Sequence, residues 1–400
     1  MKKKSIILTL ALVPLLASAQ GTSQEKQPVG LDFFAKIKAI SQVKTIGDDI
    51  FFILRQASVR DDKYNSDLYQ LVDGKAVRMT ETGRFGSYEI IDDAIVTRKP
   101  EGKKTVFYKQ TKSYGGPQQW LTIPYQVGQV KFVDDNHFFF TSSKKVEKEP
   151  FVLPDSLKAQ DADKRYRIFE DLPFWSNGRG DIVRQHTVLY YSDNGKVTAN
   201  REHGPKAFGN KLYVIDTKTL QSRELTVGDS TRHGFPKFID DENLLLSISK
   251  RNVENPQANA PYYRLNVRTG EKQFVYDNDR YAIGDGTASD VKSGNRSDIL
   301  FEKQGFVFKT TKADYSALAR LSYKDGQIQL LTPGDFNVDE YIPYKKGYLL
   351  VGAYGQDGQE LFYFDGKSTP KRISDINTSL FEAHHIAHPR EIRYVNSDGL

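Results

Sequence analysis

A chain of 400 residues without a single cysteine excludes disulfide staples, thiol catalysis and cysteine-ligated metals, and is long enough to bury an ordinary apolar core. Its formal charge of +6 falls to +3 once three N-terminal lysines are set aside, leaving 54 Lys and Arg against 51 Asp and Glu, scattered rather than gathered into the basic patch that nucleic acid requires. The 22 Tyr, 24 Phe and 2 Trp often stand beside β-branched residues, and long helix-period stretches are hard to find, so the composition favours a β-rich protein.

In chain order the first element is a leader. Lys2, Lys3 and Lys4 precede an apolar run from Ile6 to Ala17, and Ala17-Ser18-Ala19 reads as a cleavage site before Gln20. The run has about 12 residues, whereas a bilayer span takes roughly 20. Residues 1–19 are therefore expected to be a signal peptide. The mature chain is expected to be exported, periplasmic or secreted, with no membrane segment after cleavage. The cleavage region has no cysteine, which excludes a lipid anchor.

A repeat follows. A short apolar strand, an Asp-Asp turn and a strongly apolar strand occur at Ile46-Gly47-Asp48-Asp49 before Ile50-Phe51-Phe52-Ile53. They return at Ile90-Ile91-Asp92-Asp93 before Ala94-Ile95-Val96, at Phe132-Val133-Asp134-Asp135 before Phe138-Phe139-Phe140, and at Phe238-Ile239-Asp240-Asp241 before Leu244-Leu245-Leu246. Weaker copies centre on Lys292-Ser293-Gly294 and on Lys345-Lys346-Gly347. Asp and Gly suit such turns because they tolerate left-handed backbone or bond their own main chain. Further strands ending at Asp73-Gly74, Asp216 and Asp365-Gly366 give each unit room for four strands, the content of a propeller blade. The spacing is 44 from Asp48 to Asp92 and 42 from Asp92 to Asp134, but 106 from Asp134 to Asp240, which holds a hidden blade or one blade with a long insertion. The expected fold is an all-β propeller of four-stranded blades, seven in number within a range of six to eight. A β-sandwich would not return the same unit at this period.

No catalytic centre is legible. The three Gly-x-Ser sequences, at Ser23, Ser230 and Ser368, lack the second glycine of a nucleophile elbow. Tyr114-Gly115-Gly116-Pro117 follows polar residues and reads as a turn. His384 and His388 are four apart, but Pro389 pushes the preceding residue away from helical angles, so no metal site is expected there. Asp277-Asn278-Asp279 lacks the glycine of a calcium loop and is a turn. No phosphate loop occurs, and no cofactor is expected.

Two segments carry a resemblance: Glu170-Asp171-Leu172-Pro173-Phe174-Trp175-Ser176-Asn177-Gly178-Arg179-Gly180, and the C-terminal run from Ser379-Leu380-Phe381-Glu382 through Pro389-Arg390-Glu391-Ile392-Arg393-Tyr394-Val395-Asn396-Ser397-Asp398-Gly399-Leu400. Both resemble the acylaminoacyl-peptidase and dipeptidyl-peptidase-like branch of the prolyl oligopeptidase family, although the blades use Asp-Asp where that family commonly has Ser-Pro-Asp-Gly. The resemblance implies a propeller over 20–388 with an insertion near 145–185, and a linker over 389–400 into an α/β-hydrolase domain that lies beyond these 400 residues. It implies a non-catalytic, substrate-gating domain of an exported serine peptidase, with peptide and hydrolase domain as partners. Glu170 and Asp171 are then candidates to pair a peptide's α-ammonium group and Trp175 to wall the site; Arg179 completes the candidate substrate-binding set. The alternative is a stand-alone propeller that binds a protein or glycan.

Overall fold

The computed structural model describes residues 25–111, 116–132, 138–142, the backbone of 186–191 and 196–202, then 210–216, 221–225, 231–250, 259–287, 298–355 and 357–387, with a few single positions besides. Among these residues seven antiparallel sheets follow one another, over 38–78, 88–123, 127–142, 186–224, 231–276, 300–330 and 336–372. Six hold four strands in plain sequence order, and two strands of the third are described. The first strands of successive sheets approach one another, first to second and fourth to fifth, and the first strand of the seventh sheet lies against that of the first. First strands therefore line the axis, and the ring closes. The fold is an all-β propeller with the seven sheets that the repeat predicts.

The second strands of the first, fifth, sixth and seventh blades carry buried runs because each faces two neighbours. Phe52 packs with Leu349 and Val351 of the seventh blade, while Phe51 and Ile53 pack with Tyr88 and Ile95 of the second. Alternate side chains of one strand thus serve two inter-blade cores, which is why these segments read as continuous apolar runs.

Each blade is a meander, so the turns after first and third strands open on one face, and the remaining crossings, with both chain ends, open on the other. The aspartates form these turns in two ways. Asp92 and Asp93, both with positive φ (47° and 57°), close the two-residue hairpin between Ile91 and Ala94. Asp240 instead accepts the amides of Glu242 and Asn243, both at 2.9 Å, and Asp216 and Asp365 do the same for the residues after them.

Two readings of the repeat are resolved. The long gap between Asp134 and Asp240 contains a whole blade, the fourth, which lacks the apolar triplet of the others. The Lys292-Ser293-Gly294 copy is corrected: the sixth blade's hairpin falls between Glu302 and Gly305, ahead of Phe306-Val307-Phe308, because a long connection precedes it. Gly305 is needed there, since a Cβ would lie 1.9 Å from the Leu321 carbonyl oxygen; Gly347 meets Phe364 in the same way at 2.1 Å.

One buried acid organises the exit from the first blade. The Asp67 carboxylate (3% exposed) accepts Arg78 Nη2 at 2.6 Å, the Thr80 hydroxyl at 2.8 Å, and the amides of Thr82 and Gly83 at 2.7 and 3.2 Å. Burial alone would raise its pKa, but Arg78, Thr80 and the two amides outweigh it and hold the group below the usual carboxylate range. A carboxylate with a depressed folded pKa stabilises fully above its unfolded value of about 3.9 and loses that contribution as pH falls through the folded value. Asp67→Asn is therefore expected to lower the urea midpoint at pH 7 and to flatten its fall below about pH 4. An acid limb as steep as that of the parent chain would refute the assignment.

Candidate functional site at the junction of the first and last blades

The sequence-derived candidates Glu170, Asp171, Trp175 and Arg179 lie outside the described residues, as do the region 145–185, the leader 1–19 and Ser230. His384 is described and is not set out as a ligand: its Nδ1 is 2.7 Å from the Leu380 carbonyl, and its ring stands edge-on to Phe33 at 4.9 Å. Asn278 takes positive φ and its side chain accepts the Ile283 amide, so Asp277-Asn278-Asp279 is a turn.

The richest polar constellation lies where the ring closes. Among the described residues no strand is shared between the first and last sheets, and their edges are joined by other means. The innermost strand of the first blade slips register between Ser41 and Lys44, and that of the seventh between Val338 and Glu340. Such bulges leave backbone groups without ladder partners. Glu340, almost fully buried, supplies them across the junction: Oε2 accepts the Gln42 amide at 2.8 Å and Oε1 the Val43 amide at 2.9 Å. Gln42 has φ of 53°, and its carbonyl accepts the Tyr88 hydroxyl of the second blade at 2.7 Å. Burial drives the Tyr88 pKa well up, so the hydroxyl stays a donor.

The seventh-blade bulge is equally occupied. Asp339 Oδ1 accepts Lys292 Nζ at 2.8 Å, and Oδ2 accepts Gln359 Nε2 at 2.7 Å. Gln359 Oε1 in turn accepts the Ile40 amide of the first blade at 2.9 Å. Lys309, 1% exposed, donates to the Asp339 carbonyl at 3.1 Å. Burial lowers its pKa, and the Asp339 charge opposes that shift.

A second clasp sits nearer the chain ends. Asn377 Oδ1 accepts the Lys38 amide at 2.9 Å, while Nδ2 donates to the Lys38 and Gln359 carbonyls at 2.8 and 2.7 Å. The N-terminal segment adds a staple: the Gln27 amide bonds the Ala383 carbonyl and the His385 amide bonds the Gln27 carbonyl, both at 2.8 Å, and Phe33 packs on Phe381 at 5.4 Å. The network pairs charges and amides mutually. It fixes position rather than moving protons.

No family model matches the chain, and no curated protein matches it. Solved structures do. Acylaminoacyl peptidase in complex with Z-Gly-Gly-Phe-chloromethyl ketone aligns at TM-score 0.62 and 14% identity over 90% of this chain and 56% of that one. The propeller domain of the Trilobed protease from Pyrococcus furiosus aligns at TM-score 0.54 and 14% identity, over 86% of this chain and 97% of that one. A puromycin-hydrolyzing peptidase of Mycobacterium tuberculosis aligns at 0.57 and 12% identity, over 94% and 59%. This chain has the β-propeller fold of these structures. It spans little more than half the length of the acylaminoacyl peptidase structure it matches. The Trilobed propeller is described as having an open velcro topology, and here too the described sheets exchange no strand between first and last blades.

In this propeller, sequence reasoning missed the residues that close the ring. Glu340, Asn377 and Gln359 carry no motif, because their partners are backbone groups some 300 positions away. A usable signal existed for the acids that organise blade exits. Asp67-Leu68 and Glu360-Leu361 are each followed by a hydroxyl residue, Thr80 or Ser374, that bonds the leucine amide at 3.0 or 2.8 Å.

Proposed function

We propose that this propeller is the non-catalytic, substrate-gating domain of an exported serine peptidase, set over a hydrolase domain so that short peptides enter and folded proteins do not. The observation that carries the reading is the fit of nearly the whole ring to propellers that belong, in their own proteins, to peptidases, at TM-scores of 0.62 and 0.54. Three features of the sequence support it. The chain lacks a Gly-x-Ser-x-Gly nucleophile, so hydrolysis would come from another domain. Its leader has the charge and length of an export signal. Its run from Pro389 to Leu400 resembles the passage into a hydrolase domain. Export and gating are part of this proposal, as are the peptide contacts assigned by resemblance to Glu170, Asp171, Trp175 and Arg179.

The test starts with the reading frame beyond Leu400, where a Gly-x-Ser-x-Gly with Asp and His downstream is expected. The encoded protein should then cleave a short peptide and refuse the same bond in a folded protein. A stop codon directly after Leu400, or equal cleavage of both substrates, would overturn the proposal.

A further inference from the structure

A cavity of about 290 Å³ opens on the seventh blade, between the end of its second strand, its outermost strand and the short helix Thr378–Glu382. Tyr354, Phe362 and Phe381 make its apolar wall. The Tyr354 ring is fixed, since its hydroxyl donates to the Pro370 carbonyl at 3.1 Å and the ring stands edge-on to Phe362 at 5.7 Å. Asp357, Arg372 and Glu382, all exposed, bring charge to the same cavity. Asp357 sits in a turn, its amide donating to the Tyr354 carbonyl at 2.9 Å. Gly358 after it packs so closely on the helix that a Cβ would lie 2.7 Å from both Asn377 Cβ and Phe381 Cε2. Arg372 Nη1 donates to the Thr378 hydroxyl at 2.8 Å. Opposite charges attract wherever they come within contact distance. Here they are held apart: among the described residues Arg372 pairs with neither Asp357 nor Glu382, and neither carboxylate accepts a hydrogen bond.

We propose that this cavity binds a free α-amino acid with an apolar side chain, its ammonium group on Asp357 and Glu382, its carboxylate on Arg372 and its side chain against the three rings. The two charges of the ligand then bridge a gap that the protein leaves open. A lone cation would be repelled by the guanidinium, and a lone anion would face two carboxylates. A molecule carrying both signs suits all three groups. Size narrows the class further. Small-molecule sites run from about 300 to 1,000 Å³, so a cavity at the lower end takes one amino acid rather than a longer peptide. The three rings favour an aromatic side chain, whose edge can meet their faces. Arginine suits the carboxylate because its planar fork can keep Thr378 on one nitrogen and offer the remaining donors to two oxygens. Under the functional reading above, amino acids are what peptide hydrolysis releases, but the inference stands on the cavity and does not need that reading.

Calorimetric titration of the 400-residue chain with L-phenylalanine, 2-phenylethylamine and 3-phenylpropionate tests this. The amine lacks the carboxylate and the acid lacks the ammonium group. Each is expected to bind roughly tenfold more weakly than phenylalanine, the factor that one charge-assisted hydrogen bond supplies. Variants assign the contacts, and their exposed positions leave the core intact. Arg372→Gln should bring phenylalanine down to the level of the amine. Asp357→Asn with Glu382→Gln should bring it down to the level of the acid. In amide hydrogen exchange, phenylalanine at about ten times its dissociation constant should slow the Thr378 and Phe381 amides about tenfold. An amine that binds the parent chain as tightly as phenylalanine overturns the proposal in favour of a simple cation site. Leucyl-leucine binding more tightly than phenylalanine overturns it in favour of a longer peptide. Neither heat nor protection from phenylalanine at millimolar concentration overturns it outright.

Discussion

Replacing Glu340 with Ala is expected to open the ring at its junction, with a loss of about 2–4 kcal/mol and exchange of the Gln42 and Val43 amides faster by roughly 30- to 1000-fold. The magnitude follows from what remains behind. Both amides belong to a bulge, so no strand can take them up, and Val43 is buried at 3% exposure. A buried donor left without an acceptor costs about 1–3 kcal/mol; Gln42, partly exposed, finds water and sits at the lower end. Glu340→Gln is the informative companion. It keeps one acceptor oxygen but turns an NH2 group toward the second amide, donor against donor, so it should recover less than half of the loss. Exchange is the preferred readout, because a ring of this size need not unfold in one step and a single denaturation midpoint averages over blades. If the alanine variant left both amides as protected as before, the ring would be closed by its apolar core alone.

That core is not negligible. Ile40, Phe52, Leu349, Val351 and Leu361 form one buried cluster across the same junction. Apolar burial supplies most of the attraction, but it is non-directional and would tolerate a slide of one blade past the other. The carboxylate on two specific amides sets the register.

This division explains what could be read from the sequence. The blade unit was legible because it is local: an apolar triplet, a turn residue with a defined backbone requirement and a return strand all lie within about a dozen positions. Six of the seven sheets announced themselves in that way, the sixth with its turn misplaced by some ten residues. The fourth stayed hidden because Lys196–Glu202, its second strand, alternates polar and apolar residues. The junction was not legible. Glu340 looks like any acid beside a strand, and only the folded ring brings it to Gln42. Asp277-Asn278-Asp279 shows the converse: its reading as a turn needed only local geometry, and Asn278 takes it.

Glu360→Ala is expected to have the larger effect, roughly 3–5 kcal/mol, because one carboxylate there organises a whole crossing. Glu360, 3% exposed, accepts the amides of Ile376, Asn377 and Thr378 at 2.8, 2.6 and 2.9 Å, together with the hydroxyls of Ser374 and Thr378. Removing it frees the loop that aims Asn377 at Lys38, so the damage should reach the junction although the carboxylate hydrogen bonds of Glu360 all run to residues 374–378. Two comparisons separate this from simple loss of a buried hydrogen bond. Asp67→Ala removes the same kind of organiser from the first blade's exit, where its bonds run to Arg78, Thr80, Thr82 and Gly83, and should destabilise its own loop while leaving exchange at Lys38 unchanged. Asn377→Ala combined with Glu360→Ala should cost about the same as Glu360→Ala alone, since the acid acts at the junction through that asparagine. Additive losses in the double variant would mean that Glu360 stabilises the seventh blade without positioning the clasp, and the ring would then depend on Glu340 and the N-terminal staple.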